Sequence, residues 1–279
     1  MDHKQTTMKV KKWLIPLSLP LFLSGCFEGN KTTEQLCQAY PNLRCNKLNM
    51  DDGQCRVART DLIWHRFEVL KDPSDKNKIR EYQLVAEYRK CLELASQITP
   101  IDQTELKQNR FNALVHSIAE LERIVKELSQ SSKPESLYFL WSQTGSHEAR
   151  RQFLQMEGSP QLETAEMQYA LATFYTTRDA KKTLALLHHS LELTKDGKVN
   201  VDALKSLAST NQGLKRMKHA YLWAMVAKEF GVPLATQREL NIMFGFTQQE
   251  YEQLNELADE VVSALKNGQY RASLVPKTL

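Results

Sequence analysis

The chain has 279 residues, 42% of them hydrophobic and 25% charged, with only 10 Gly and 9 Pro. That balance is too apolar for a disordered polypeptide and too charged for a multispan membrane protein. The formal net charge of +4 sits at one end: Lys4, Lys9, Lys11 and Lys12 face Asp2 alone in residues 1–25, leaving 33 basic and 32 acidic residues elsewhere. A near-neutral body gives no compositional support for binding nucleic acid.

Lys9, Lys11 and Lys12 precede an apolar run of 11 residues, Trp13 to Leu23, interrupted by Pro16 and Pro20. A membrane span needs about 20 apolar residues. The short run behind a basic cluster predicts a secretory signal over residues 1–25, with translation starting at Met1 or Met8. Leu23-Ser24-Gly25-Cys26 follows. This segment resembles the lipobox of bacterial lipoproteins. The resemblance implies diacylglyceryl transfer to the Cys26 thiol, cleavage before Cys26 and acylation of its new amino group. The membrane is then the first expected partner, because two or more acyl chains give a stable anchor. In that class an Asp after the lipidated Cys favours retention in the inner membrane. Phe27 and Glu28 stand there instead, implying the periplasmic face of the outer membrane. The polar residues that follow predict a tether over 26–36.

Cys37, Cys45, Cys55 and Cys91 remain, and four cysteines allow three pairings. In an oxidising compartment they are expected as disulfides. Leu62, Ile63, Phe67 and Leu70 recur at helical spacing, Asp72-Pro73-Ser74-Asp75 breaks the pattern, and Ile79, Tyr82, Val85, Ala86, Leu92 and Leu94 resume it. A helical hairpin centred near residue 74 sets residue 55 opposite roughly residue 93. That register favours Cys55–Cys91 and leaves Cys37–Cys45. The short Cys-x₂₋₄-Cys pairs of structural zinc sites are missing, so no metal is expected.

Strand signals are nearly absent and helix punctuation is dense. Asp102 and Glu105 open a stretch with Leu114, Ile118, Leu121, Val125 and Leu128 on one predicted apolar face. It completes a disulfide-containing helical region over 37–130. Lys133-Pro134 and Ser159-Pro160 put proline at expected first helical turns. Gly231 and Pro233 end a helix over Met217–Phe230. Thr236 with Glu239 and Thr247 with Glu250 form capping boxes. The second opens a C-terminal helix to Lys266, with Leu254, Leu257, Val261 and Leu265 inward.

Leu137–Trp141, Leu171–Tyr175 and Leu204–Ala208 align at offsets of 34 and 33 residues, and Phe153, Leu187 and Trp223 follow at offsets of 34 and 36. Two helices per unit at that period is a helical-repeat signature. Ala203-Leu204, Leu207-Ala208, Ala220-Tyr-Leu-Trp223 and Ala227 to Gly231 resemble the Sel1-like pattern. The expected fold is all-α: the disulfide-containing region, then tetratricopeptide/Sel1-like antiparallel helix pairs over 134–279, α-solenoid-like, with a capping helix. The lipobox, together with Leu36 to Cys45 and Gln54 to Arg59, also resembles a family of uncharacterised Gram-negative lipoproteins. That resemblance implies no particular activity.

His65, His116, His147, His188, His189 and His219 form no His-Glu-x-x-His set, and adjacent His188 and His189 point about 100° apart on a helix. Gly-x-Ser-x-Gly, Walker and Gly-x-Gly-x-x-Gly motifs are absent. Glu163/Glu166 and Glu250/Glu252/Glu256 read as charged outer helix faces. No catalytic residue and no cofactor is therefore expected. The first helices of a solenoid line its concave face. Exposed members of the set Tyr138, Gln143, Thr173, Lys205 and Asn211 are thus candidate contacts for a partner envelope protein. The expected function is a lipid-anchored, non-enzymatic adaptor or scaffold. The alternative is a protein that binds or processes peptidoglycan or sugar.

Overall fold

The structure, a computed structural model, describes residues 31–98, 104–195 and 197–279. The predicted signal, Cys26 and the Asp102 cap lie outside the described residues. Among the described residues there are twelve α-helices, four 3-10 turns and no strand. No helix among them is long and apolar enough to cross a membrane.

Helix α1 (Thr33–Ala39) begins inside the segment that composition assigns to a tether. Its capping box explains why: Gln35 N–H donates to Thr32 Oγ1 at 3.3 Å, and Thr32 N–H donates to Gln35 Oε1 at 2.9 Å. Leu36, fully buried, pins the helix down. A disulfide from Cys37 to Cys45 ties α1 to the 3-10 turn Cys45–Lys47. Helices α2 (Arg56–Lys71) and α3 (Asp75–Ala95) form the hairpin, and Cys55–Cys91 joins the start of one to the last turns of the other, Cα to Cα 5.7 Å.

Helix α4 (Thr104–Leu128) packs along α3. Of its predicted apolar face, Leu121 and Leu128 are buried and Leu114 and Val125 are partly buried against the core, while Ala113, Ser117, Ile124, Arg110 and Glu120 also turn inward. Ile118 is exposed. The charges explain why the inward face extends to Arg110 and Glu120 and leaves Ile118 outside it. Arg110 Nε donates to the buried Asp52 carboxylate at 2.5 Å, and its Nη1 donates to the Ala95 carbonyl at 3.0 Å. Glu120 accepts from Arg66 Nη2 at 3.0 Å and from Arg44 Nη1 at 2.8 Å. Arg66 Nε also donates to Glu81 at 3.1 Å. A buried charge is tolerable only when paired, so these residues must face the interior. Asp52 organises the irregular segment before α2. Burial pushes its carboxyl up, but Arg110 and the amides of Gln54 and Asn49 outweigh that and hold it below the usual carboxylate range.

The second half is built from antiparallel pairs: α5 (Pro134–Thr144) with α6 (His147–Gln155), α7 (Ala165–Tyr175) with α8 (Ala180–Leu193), and α9 (Val201–Gly213) with α10 (Met217–Glu229). Pro134 occupies the first turn of α5. Pro160 instead opens a single 3-10 turn, because Thr164 takes over as the cap of α7 by accepting from Met167 N–H. Both predicted capping boxes are present, on α11 (Gln237–Phe244) and α12 (Gln248–Lys266). The first core cluster runs from Leu36 to Leu171, so it crosses the junction between the hairpin region and the helix pairs. Tyr82 and Phe139 meet across it edge to face, with ring centres 4.8 Å apart.

The second cluster is built from α8, α9, α10 and α12, with Tyr270 and Val275 closing it. Two glycines let its loops interlock. At Gly268 (φ +64°) a β-carbon would collide with the Lys195 carbonyl, and at Gly197 (φ +68°) one would lie 2.8 Å from the Lys266 carbonyl oxygen. In this core the Tyr270 hydroxyl and His188 Nδ1 share a hydrogen bond at 2.6 Å, and the His188 ring meets Trp223 edge to face. Burial pushes His188 down to about 4. Its pKa is thus lower folded than unfolded, so this stabilisation is complete above the unfolded value of 6.5 and is lost as pH falls toward 4. From pH 7.5 to 4.5 the His188 contribution should fall by on the order of 2–3 kcal/mol. Urea denaturation at the two pH values, with His188→Gln as control, measures it. An equal pH response in that variant would contradict the assignment.

Candidate functional site

A groove of about 620 Å³ opens between the first turns of α3 and the first helices of the pairs. Lys76, Ile79 and Gln83 supply one wall; Glu135, Tyr138 and Gln143 of α5, Glu166 and Tyr169 of α7, and Asp202 of α9 supply the other. Proline at the first turn of α5, Thr164 at the cap of α7 and Asn200 at the cap of α9 fix where each wall helix starts. Behind the wall, Tyr138, Trp141 and Phe174 form a ladder of edge-to-face rings 5.8 and 5.9 Å apart. Such contacts stiffen the surface on which the polar groups stand.

Three carboxylates against one lysine make the lining acidic. The two tyrosines are half-buried, and burial pushes both phenols up; a hydrogen bond to Thr173 opposes the shift at Tyr138. The nearby Asp202 carboxylate pushes both in the same upward direction. Both phenols therefore stay protonated at neutral pH as donors. The groove combines rigid aromatic edges, amide groups and negative charge, a lining suited to an extended polar segment carrying positive charge or many donors.

Of the predicted contacts, Tyr138 and Gln143 line this groove. Thr173 stands behind Tyr138, its hydroxyl donating to the Ala170 carbonyl at 2.7 Å. Lys205 is exposed and pairs with Asp202 at 2.5 Å. Asn211 must be corrected: it is 1% exposed, because its side-chain amide folds back to the Leu207 carbonyl at 2.8 Å and its own carbonyl accepts from Arg216 N–H. It closes the end of α9 and offers nothing to a partner. His188 is likewise a core residue, whereas His189 pairs with Glu163 at 2.8 Å on the surface. Sequence reasoning missed Lys76, Gln83, Glu135, Glu166 and Asp202. For Glu135, Glu166 and Asp202 the available signal was their position in the first turns of helices that the repeat alignment already placed side by side; Lys76 and Gln83, on α3, had no such signal.

Among the described residues no group of three or more His, Cys, Asp or Glu is placed to hold a metal ion. Cys26 lies outside them, while all four other cysteines are in the two bridges. No curated protein matches the chain. No solved structure matches it either. A family described as "Protein of unknown function (DUF2989)" matches residues 23–225, from the Leu23 of the Leu-Ser-Gly-Cys segment to the middle of α10. The match takes in the disulfide hairpin, α4 and the wall helices of the groove, so the chain belongs to the DUF2989 family.

Proposed function

We propose that this protein is a lipid-anchored envelope lipoprotein, facing the periplasm from the outer membrane, that acts without enzymatic chemistry as an adaptor. Its tetratricopeptide/Sel1-like helix pairs present the groove between α3, α5 and α7 to another envelope protein. Acylation at Cys26 keeps the domain at the membrane, and two disulfides suit an oxidising compartment. The observation that carries the adaptor reading is the acidic groove with Tyr138 and Gln143 on a ring-braced wall. A second reading rests on the same lining: tyrosine edges with amides and carboxylates also suit the hydroxyls of a cell-wall glycan.

Two experiments test the reading. Cys26→Ser should abolish incorporation of a palmitate analogue and leave the precursor uncleaved; label retained on the variant refutes the anchor. For the groove, a photocrosslinking residue at Gln143 should capture a defined envelope protein that the same residue at exposed Lys181 does not. Glu166→Lys should reduce that capture by about tenfold through reversed charge on the wall. Equal capture at both positions sinks the adaptor. Retention on purified peptidoglycan, lost in Glu166→Lys, selects the glycan reading.

A further inference from the structure

Eleven large apolar side chains are exposed among the described residues, and eight of them lie between residues 57 and 118. Five of these eight fall into two stripes. Phe111, Val115 and Ile118, at i, i+4 and i+7, make one stripe on the outer face of α4, and Phe111 and Val115 are 53% and 51% exposed. Val57, 71% exposed, and Trp64 stand two turns apart on one face of α2. Met50 joins the two sets. It lines a groove of about 690 Å³ together with Phe111 and Val115, and an adjoining groove of about 400 Å³ together with Val57 and Thr33. Trp64 Nε1 donates to Thr33 Oγ1 at 3.2 Å, so the start of α1 sits at the edge of the same apolar region. Charges beside it are mixed, Glu34 and Asp61 with Arg56 and Arg59.

An exposed apolar region of this kind on a globular domain marks a surface that something covers. The occupant follows from where the chain leaves the fold. Five residues separate Cys26 from Thr32, so even fully extended the six Cα-to-Cα steps hold the start of α1 within about 20 Å of an acylated Cys26. We infer that the α2–α4 apolar face rests on the lipid bilayer itself, with Val57, Trp64, Phe111, Val115 and Ile118 entering the boundary between headgroups and acyl chains. This inference rests on the anchor reading above. The anchor supplies retention, and the apolar face supplies orientation. A tryptophan at the rim of such a face suits the membrane–water interface, where its ring is buried and its N–H stays hydrogen-bonded. With mixed charges around it, the contact depends on apolar insertion and not on anionic lipid or low salt.

The test uses the full chain reconstituted through its own N-terminus into phosphatidylcholine vesicles with brominated acyl chains. One variant carries Val115→Trp, and a control carries Ile242→Trp on α11; the native tryptophans are common to both. Bromolipid should quench the emission contributed at position 115 by at least about twofold, and should leave that at position 242 unchanged. Phe111→Ser with Ile118→Ser should remove the difference, and raised salt should not. Equal quenching at 115 and 242, or none at 115 in the anchored protein, overturns the inference. A blue shift at 115 in native envelopes but not in lipid vesicles assigns the face to a protein partner and overturns it as well. A parallel arm holds the chain on nickel-chelating lipid by a histidine tag in place of residues 1–26. Quenching at 115 there, with no fatty-acid label on Cys26 in cells, sustains the surface and rejects the anchor; label without quenching rejects the surface alone. Neither signal rejects both.

Discussion

Replacing Arg66 by methionine is expected to lower unfolding stability by about 3–5 kcal/mol. Arg66 is 3% exposed, and its three donor groups are all in use: Nε on Glu81, Nη2 on Glu120 and Nη1 on the Leu43 carbonyl. Removing it leaves two buried carboxylates with only Arg44 and Arg123, each on the rim of the cluster. Each carboxylate loses its one fully buried partner and the Leu43 carbonyl loses its donor, and a buried charge left under-partnered costs more than the pair contributes. Chemical denaturation followed by circular dichroism measures it. A change under about 1 kcal/mol would show that the remaining arginines satisfy both carboxylates. Arg66→Met combined with Glu81→Leu should be more stable than the single variant, since an apolar pair leaves one fewer stranded charge.

The Cys55–Cys91 bridge should be worth nearly as much. It closes a loop across 36 positions, for which the chain-entropy account gives roughly 3–4 kcal/mol. Cys55→Ser with Cys91→Ser removes it without leaving a free thiol. Because the first core cluster runs on to Leu171, the weakening should not stop at the hairpin. Hydrogen exchange should accelerate through α2, α3, α5 and the first turns of α7, while α10 and α12 keep their protection. Acceleration spread evenly over the chain would mean that the two cores unfold as one unit. Thiol counting on material from an oxidising compartment checks the starting point: residues 27–279 should show no free thiol under denaturing conditions.

Helix positions were legible in the sequence because local chemistry determined them. The breaker at Asp72 to Asp75, the two capping boxes and the proline at the start of α5 act within a few residues, and the structure uses each of them. The pairing of helices followed from the repeat offsets. The face of α4 followed only in part: Leu114, Leu121, Val125 and Leu128 pack inward, but Ile118 does not, because the apolar pattern competes with Arg110 and Glu120. Their partners Asp52, Arg44 and Arg66 are 54 to 76 positions away in the chain. Periodicity cannot register a pairing at that distance, so the exposed stripe was hidden behind a conventional amphipathic reading. Asn211 failed for a related reason: an amide near a helix end caps carbonyls as readily as it faces solvent. Of the groove, sequence supplied Tyr138 and Gln143. The opposing wall comes from α3, which the repeat alignment does not include.

The interlocked loops at Gly197 and Gly268 impose an order on the birth of the molecule. The first core closes with residues up to Leu171, so it can form while the rest of the chain is still being made. The second cannot. Trp223 is covered by Tyr270, α12 lies against α10, and the Lys195 carbonyl meets the backbone at Gly268, so its sealing parts arrive last. Until then Leu187, Leu204 and Trp223 have no lid, and the half-made chain carries an open apolar trough. Synthesis order thereby becomes folding order, and the segment from Gln248 to Val275 works as a latch whose delay sets how long a nascent chain is open to aggregation.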